Sequence, residues 1–310
     1  MLIKRDEIAR HRIGVLAGGC SSERDISIKS GRAVFDALKE EGLNAVFIDL
    51  EDECVSFLDN ADIDVVFIAL HGRFGEDGAL QEQLEKRAIP YTGSGPESSR
   101  KALDKLASKE LFINSGLLVP DFRTVSNLDV PPIDLDFPCV VKPQHEGSSI
   151  GLTRVFSSEN IMEAIATADK YEGDVIIEEY IPGREITVGI LDEEALPVVE
   201  VITSEGVYDF SAKYEALSTE YVIPARIEEK LYKEIQDAGL RAHSALGCKG
   251  FSRVDMRLDA DNRVYILEVN TVPGLTERSL LPMAGKAAGI GFPELCMRIL
   301  GSAFSSGVAG

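Results

Sequence analysis

The sequence predicts an α/β protein with a parallel sheet in its first third and an antiparallel hairpin in its last third. Three observations carry that reading. Apolar runs alternate with helix-period stretches through the first ninety-odd residues; after "IPYTGSGPESS" short strand-like runs crowd together; and residues 250–270 alternate polar and apolar side chains about a turn signal.

The elements follow in chain order. "RIGVLAGG" reads as a buried strand into a glycine turn, and residues 22–41 set Ile26, Ser30, Ala33, Val34, Ala37 and Leu38 at helical spacing. "NAVFIDL" and "DVVFIALHG" are further strands, and "DGALQEQLEKRAI" a further helix, so this is a βαβ series with helices on both faces of a parallel sheet. The Gly, Ser and Pro cluster at 93–98 reads as a hinge. A helix is expected at 101–115, strands near 122–126, 138–142, 151–155 and 174–179, a helix at 227–246, the hairpin, and closing helices.

Composition narrows the function. A chain of 310 residues with 52 acidic and 32 basic side chains carries a net charge of −20, which repels nucleic acid and anionic membranes. Cys20, Cys54, Cys139, Cys248 and Cys296 are odd in number and form no C-x-x-C pair, as expected of reduced thiols in the cytoplasm. The first residues lack an apolar run of signal-peptide length, and no eighteen-residue apolar stretch follows, so neither export nor a membrane span is expected.

The hairpin "GFSRVDMRLDADNRVYILEVN" gathers the chemistry. With its turn at Asp261 and Asn262 and no bulge, Asp255 faces Glu268 and Arg253 faces Asn270. All four project to one side, with Val254, Met256, Leu267 and Val269 on the other. Two carboxylates about 4 Å apart repel by roughly 4 kcal/mol at an effective dielectric near 20, and a bound cation reverses that sign. Oxygen ligands from Asp, Glu and Asn suit magnesium. The plainer alternative is a solvated strand face on which Arg253 neutralises the acids. The loop "TVPGLTERSL" then enters a helix, a natural anion site.

In "VVKPQHEGSSIGLTRV", Lys142 ends a strand, and glycines flank two hydroxyls, so backbone N–H groups can approach phosphate oxygens. "GSSIG" also satisfies G-x-S-x-G, with Ser149 as nucleophile and His243 as base. That motif needs a helix straight after it, whereas "GLTRVF" alternates like a strand. A serine hydrolase and a catalytically silent nucleotide-binding protein are the readings from other classes.

Nine ordered segments, "AGGCSSERDISIKSG", "ALHGRFGEDGALQ", "IPYTGSG", "LDKLASK", "VVKPQHEGSSIG", "EEYIPGREITVGIL", "YDFSAKY", "GFSRVDMRL" and "LEVNTVPGLTERSLLP", resemble the D-alanine–D-alanine ligases of the ATP-grasp superfamily over essentially the whole chain. The resemblance implies an ATP-grasp fold: an N-terminal Rossmann-like parallel-sheet domain (1–94) and two α/β domains (95–183 and 184–310) enclosing the ATP site. It implies that Lys105 and Lys142 hold phosphates. Glu178 and the backbone of Glu179 to Ile181 meet the adenine, Glu185 takes the ribose, and Ser148 and Ser149 close on the phosphates. Without the family, Glu178 and Glu185 read as ordinary exposed strand acids.

Asp255, Glu268 and Asn270 match the family's magnesium ligands, implying two ions, with manganese a substitute. The resemblance gives Arg253 the transferred phosphoryl group, and Gly274, Ser279 and the backbone of Leu280 the carboxylate of the second substrate. Glu23, following the expected N-cap Ser22 with Asp25 at the capping-box position, is favourable in a first helical turn by itself. The resemblance makes it the partner of the first D-alanine's ammonium group, aided by Ser148 and Tyr214. His71 either supports that subsite or is a satisfied strand-end histidine. Lys213 and Tyr214 resemble the class that joins D-alanine to D-alanine through an acyl phosphate, for peptidoglycan precursors. A cytoplasmic homodimer is implied.

Overall fold

The computed structural model describes residues 5–126, 134–203 and 219–305. After a short helix α1 (Arg5–Ile8), strand β1 (Arg12–Gly18) pairs in parallel with β2 (Asn44–Leu50) and β3 (Val65–Ile68) in the order β2-β1-β3. Helix α2 (Arg24–Glu40) buries Val34 and Leu38 against Ile13, Val15, Val65 and Phe67 on one face. Helix α3 (Ala79–Glu85) buries Leu80 and Leu84 against Leu16, Val66 and Ile68 on the other. Alternate strand residues feeding opposite cores are what a sheet covered on both faces requires.

The helix expected at 101–115 is two helices, α4 (Pro96–Leu103) and α5 (Lys105–Asn114). Asp104 between them is extended (φ −76°, ψ 101°), and its carboxylate accepts from the N–H groups of Leu106 and Ala107. Asp offers the backbone a cap in place of a continued helix, and the break makes Lys105 the first residue of α5.

Two antiparallel sheets follow. The first, in the order β4-β7-β5-β6, comprises β4 (Phe122–Val125), β5 (Cys139–Pro143), β6 (Thr153–Val155) and β7 (Val175–Glu179), with α6 (Ile161–Ala168) packed on it. The second contains β8 (Arg184–Leu191), the short β9 (Glu194–Ala195), β10 (Val199–Ile202), β11 (Glu220–Val222), β12 (Phe251–Leu258) and β13 (Val264–Asn270). Its order is β11-β10-β8-β12-β13, with β9 paired to β8, and α7 (Glu229–Ala245) buries Ile235 and Ala242 against it. Helices α8 (Leu280–Ala287) and α9 (Phe292–Ser305) return to the first sheet, where Leu281, Leu295 and Ile299 share the core of Ile13 and Val15.

The hairpin keeps the expected partners Arg253↔Asn270 and Asp255↔Glu268, but its register shifts after Asp255, so Met256 pairs with Ile266. A bulge therefore falls at Leu267. Ile266 takes the core position expected of Leu267, beside Val254, Met256 and Val269. Leu267 turns to the other side, into the cleft between the two antiparallel sheets.

Candidate active site

The cleft holds a cavity of about 120 Å³ whose walls come from both sheets. Lys142 from β5 and Glu178 from β7 form one wall, Asp255 and Arg257 from β12 with Leu267 and Glu268 from β13 the opposite wall, and Lys105 and Ser149 lie on its lining as well. The crossing segment Glu179–Tyr180–Ile181 and Glu185 complete the end where β7 passes into β8.

Side chains two apart on a strand share a face, so register brings Lys142, paired to Ile176, and Glu178, paired to Val140, to the same side of their sheet. Both are buried. Lys142 Nζ donates to Glu178 Oε1 at 2.6 Å, and Lys109 Nζ lies 3.0 Å from Glu178 Oε2. Burial opposes ionisation of Glu178, but Lys109 and Lys142 outweigh it and hold its carboxyl down at about 2. Glu178 is no exposed strand acid. Burial pushes the Lys105 ammonium down to about 8, against the pull of Glu268.

The serine loop is stitched to the start of α5. Gln144 Nε2 donates to Asp104 at 2.8 Å, and Lys105 Nζ donates to the carbonyl of Glu146. Ser148 and Ser149 both have positive φ, 48° and 59°, a region that costs a non-glycine residue roughly 1–2 kcal/mol. Contacts on either side hold them there: Ser148 Oγ donates to Glu23, and Ile150 N–H to the Gly147 carbonyl at 2.9 Å. No helix follows; the chain passes into β6. His243 is buried in α7 with its ring on Ser252 Oγ (2.7 Å) and Glu193 (3.3 Å), so it does not serve Ser149 and the hydrolase arrangement is not formed.

Glu23, rather than Ser22, is the residue before α2, and its side chain makes no capping bond. Its carboxylate is drawn instead across to the serine loop, 8 % exposed. His71 is engaged at both ring nitrogens, Nε2 with Ser30 Oγ (3.0 Å) and Nδ1 with the Val272 carbonyl (2.9 Å). Burial disfavours its charged form, yet Glu76 outweighs that and raises its pKa. The satisfied strand-end reading fits this ring.

On the hairpin, Arg253 grips Asp255 with two bonds of 2.8 Å, Thr187 Oγ1 donates to Asp255 at 2.7 Å, and Asn270 Nδ2 donates to it at 3.1 Å. The Arg253 pairing is what the plainer strand-face reading expects. The carboxylates nevertheless line the cavity, and the Asn270 amide keeps its oxygen for a further partner. Two carboxylates and an amide oxygen, all hard donors beside a lysine-lined cavity, fit a magnesium ion whose other ligands are water and phosphate. Among the described residues there is no group of three His, Cys, Asp or Glu side chains arranged for a metal.

Arg253 borders a second, open cavity with Gly274, Ser279 and Leu280. Ser279 precedes α8 without capping it; its Oγ instead accepts from Thr276 N–H at 3.0 Å. A Cβ on Gly274 would meet that Oγ at 2.8 Å, so glycine there permits the loop to fold against Ser279. Lys213 and Tyr214 lie outside the described residues.

Three cleft residues escaped the sequence reading. Lys109 is four residues beyond Lys105 on the same helix, a spacing that could have exposed it. Arg257 continues the Arg253, Asp255 alternation; it donates to Glu185 (3.0 Å) and to the carbonyls of Ile181 and Gly183 (3.0 Å each). Arg154 lines the cavity from β6 and stacks over Tyr180, 5.1 Å from the ring centroid, and nothing in its local sequence signals it.

Comparison with known proteins gives a consistent picture. The family model described as D-ala D-ala ligase C-terminus matches residues 114–301, and that described as D-ala D-ala ligase N-terminus matches residues 57–94. A D-alanine–D-alanine ligase of Bordetella petrii is 43 % identical over 305 residues, covering 96 % of this chain and 94 % of its own. The crystal structure of D-alanine–D-alanine ligase from Bacillus anthracis complexed with ATP superposes with a TM-score of 0.85 at 33 % identity, covering 95 % of this chain and 98 % of that one. The VanG D-Ala:D-Ser ligase from Enterococcus faecalis has a TM-score of 0.82 at 29 % identity, covering 94 % of this chain and 99 % of its own.

Proposed function

The chain belongs to the D-alanine–D-alanine ligase family, and on that footing we propose that its cleft joins two D-alanine molecules at the expense of ATP, with the residue roles that follow. The observation carrying these roles is the convergence, in one cavity, of Lys105, Lys142 and Ser149 with Asp255 and Glu268, brought from distant parts of the sequence. The fold is that of the ATP-grasp enzymes, and the reaction is an ATP-dependent carbon–nitrogen ligation that supplies D-alanyl-D-alanine for peptidoglycan.

ATP lies between the sheets. Its adenine packs on Leu267 and the segment from Glu179 to Ile181, its ribose faces Glu185, and its phosphates face Lys105, Lys142 and the serine loop. Asp255, Glu268 and Asn270 hold magnesium, which when bound neutralises phosphate charge. The first D-alanine sets its ammonium on Glu23, which Ser148 orients. Its carboxylate oxygen attacks the γ-phosphorus, ADP departs, and an acyl phosphate results. The second D-alanine sets its carboxylate at Gly274, Ser279 and Leu280; its amine attacks the acyl carbon, gives up a proton, and phosphate leaves. Arg253 lines the second cavity and bonds Asp255 on the wall of the first, where charge develops in both steps.

Three sheets in chain order, within Arg12–Ile68, Phe122–Glu179 and Arg184–Asn270, support the division into domains of 1–94, 95–183 and 184–310. All five cysteines are free, which supports a reducing cytoplasmic setting. No helix among the described residues is long and apolar enough to cross a membrane. The family resemblance supports a homodimer, which sedimentation equilibrium tests against the 33.7 kDa chain mass.

Incubation with ATP, magnesium and D-alanine separates the readings. Dipeptide equal to phosphate released, abolished by a chelator and restored by magnesium, is the expected result. Ester cleavage without ATP would establish the hydrolase, and ATP binding without turnover the silent binder.

A further inference from the structure

Lys109 has no place in the reaction above, yet it is the most deeply buried charge beside the cavity, with no exposed surface. It lies on the same face of α5 as Lys105, but only Lys105 lines the cavity. Its ammonium sits 3.0 Å from Glu178 Oε2 and 5.1 Å from the centre of the Phe122 ring. The register explains the setting. Glu178 pairs with Phe122 of β4 on one side and Val140 of β5 on the other, and its two carboxylate oxygens meet Lys109 from α5 and Lys142 from β5. One carboxylate serves two ammonium groups, and the three side chains sum to a single positive charge.

A buried ammonium is expensive to desolvate, and an apolar side chain of equal length would fill the same space without that cost. What the charge supplies is a second claimant on Glu178. We propose that Lys109 is a positioning residue for the nucleotide: by sharing the single charge of Glu178 it leaves the group, with Lys142 bonded at 2.6 Å, a net positive charge to present to the ATP phosphates. The inference rests on the reading of the cavity as the ATP site. Without Lys109, Glu178 and Lys142 close into a neutral pair. A buried pair of that kind holds its partners tightly, so the phosphates would have to compete with Glu178 for Lys142.

The test measures ATP affinity calorimetrically, in magnesium, for the full chain, for Lys109→Met and for Lys109→Arg, which keeps the charge. In Lys109→Met the dissociation constant for ATP rises at least tenfold while the KM for D-alanine stays within twofold. In Lys109→Arg a cation still stands on Glu178, so ATP affinity stays within threefold of the parent. Should Lys109→Met fail to fold, Lys109→Gln, which also removes the charge, takes its place. Unchanged ATP affinity in the uncharged variant, or an equal loss in Lys109→Arg, overturns the proposal. A parent chain that binds no ATP would instead overturn the ligase reading itself.

Discussion

Glu178 is held at about 2 although burial alone would raise its pKa above the usual 4.5, because Lys109 and Lys142 favour its charged form. Its folded pKa is depressed, so its contribution to stability is fully present above pH 4.5 and is lost as pH falls toward 2. That difference is worth roughly 3 kcal/mol. Urea unfolding of the parent between pH 5 and pH 2.5 should therefore lose most of that, about 2 kcal/mol, beyond what the double variant Lys109→Met/Glu178→Gln loses; parallel curves would show that the triad does not bind its proton as described. The lysine at the end of "VVK" and the acid in "IIEEY" were visible in the sequence. Their partnership was not, because it depends on which strands neighbour one another, and Lys109 reaches Glu178 from a helix some seventy residues away. Glu23 was likewise legible as an acid at a helix start, but its bond to Ser148 crosses between the first sheet and the serine loop.

Within the hairpin, alternation places Asp255, Glu268, Arg253 and Asn270 correctly, because pairing near Asp255 follows from the turn and the polar pattern. The bulge is the part that pattern could not give. One extra residue leaves the composition of each strand unchanged, and only the fit of Ile266 rather than Leu267 into the core decides where it falls. Deleting Leu267 should restore strict alternation, with Ile266 inward and Glu268 still opposite Asp255. The variant should fold with a melting temperature near the parent's. It should bind ATP about tenfold more weakly, through loss of roughly 1.5 kcal/mol of apolar contact in the cleft. Unaltered ATP affinity in a folded deletion variant would remove Leu267 from the nucleotide's surroundings. A comparable misreading occurred at Asp104, where helical spacing runs on from residue 101 to 115 but the carboxylate caps a new helix and so sets Lys105 at its head.

Taken as a whole, a chain of net charge −20 keeps a cleft in which lysines and arginines from both antiparallel sheets gather around the carboxylates. The sheets cannot be placed from local pattern alone. The sequence reading recovered the strands of the first two sheets and the closing hairpin, in their order along the chain. The crossing order β4-β7-β5-β6 and the return of α8 and α9 to the first sheet arise from long-range packing. Resemblance to a family supplied the assembly that periodicity could not. The account stands on the transfer of the γ-phosphoryl group to a carboxylate held in that cleft. D-alanine labelled with oxygen-18 in its carboxyl group tests it most directly. One labelled oxygen should appear in inorganic phosphate for every dipeptide formed. Phosphate that instead takes its new oxygen from water, with the label staying in D-alanine or the dipeptide, would contradict it.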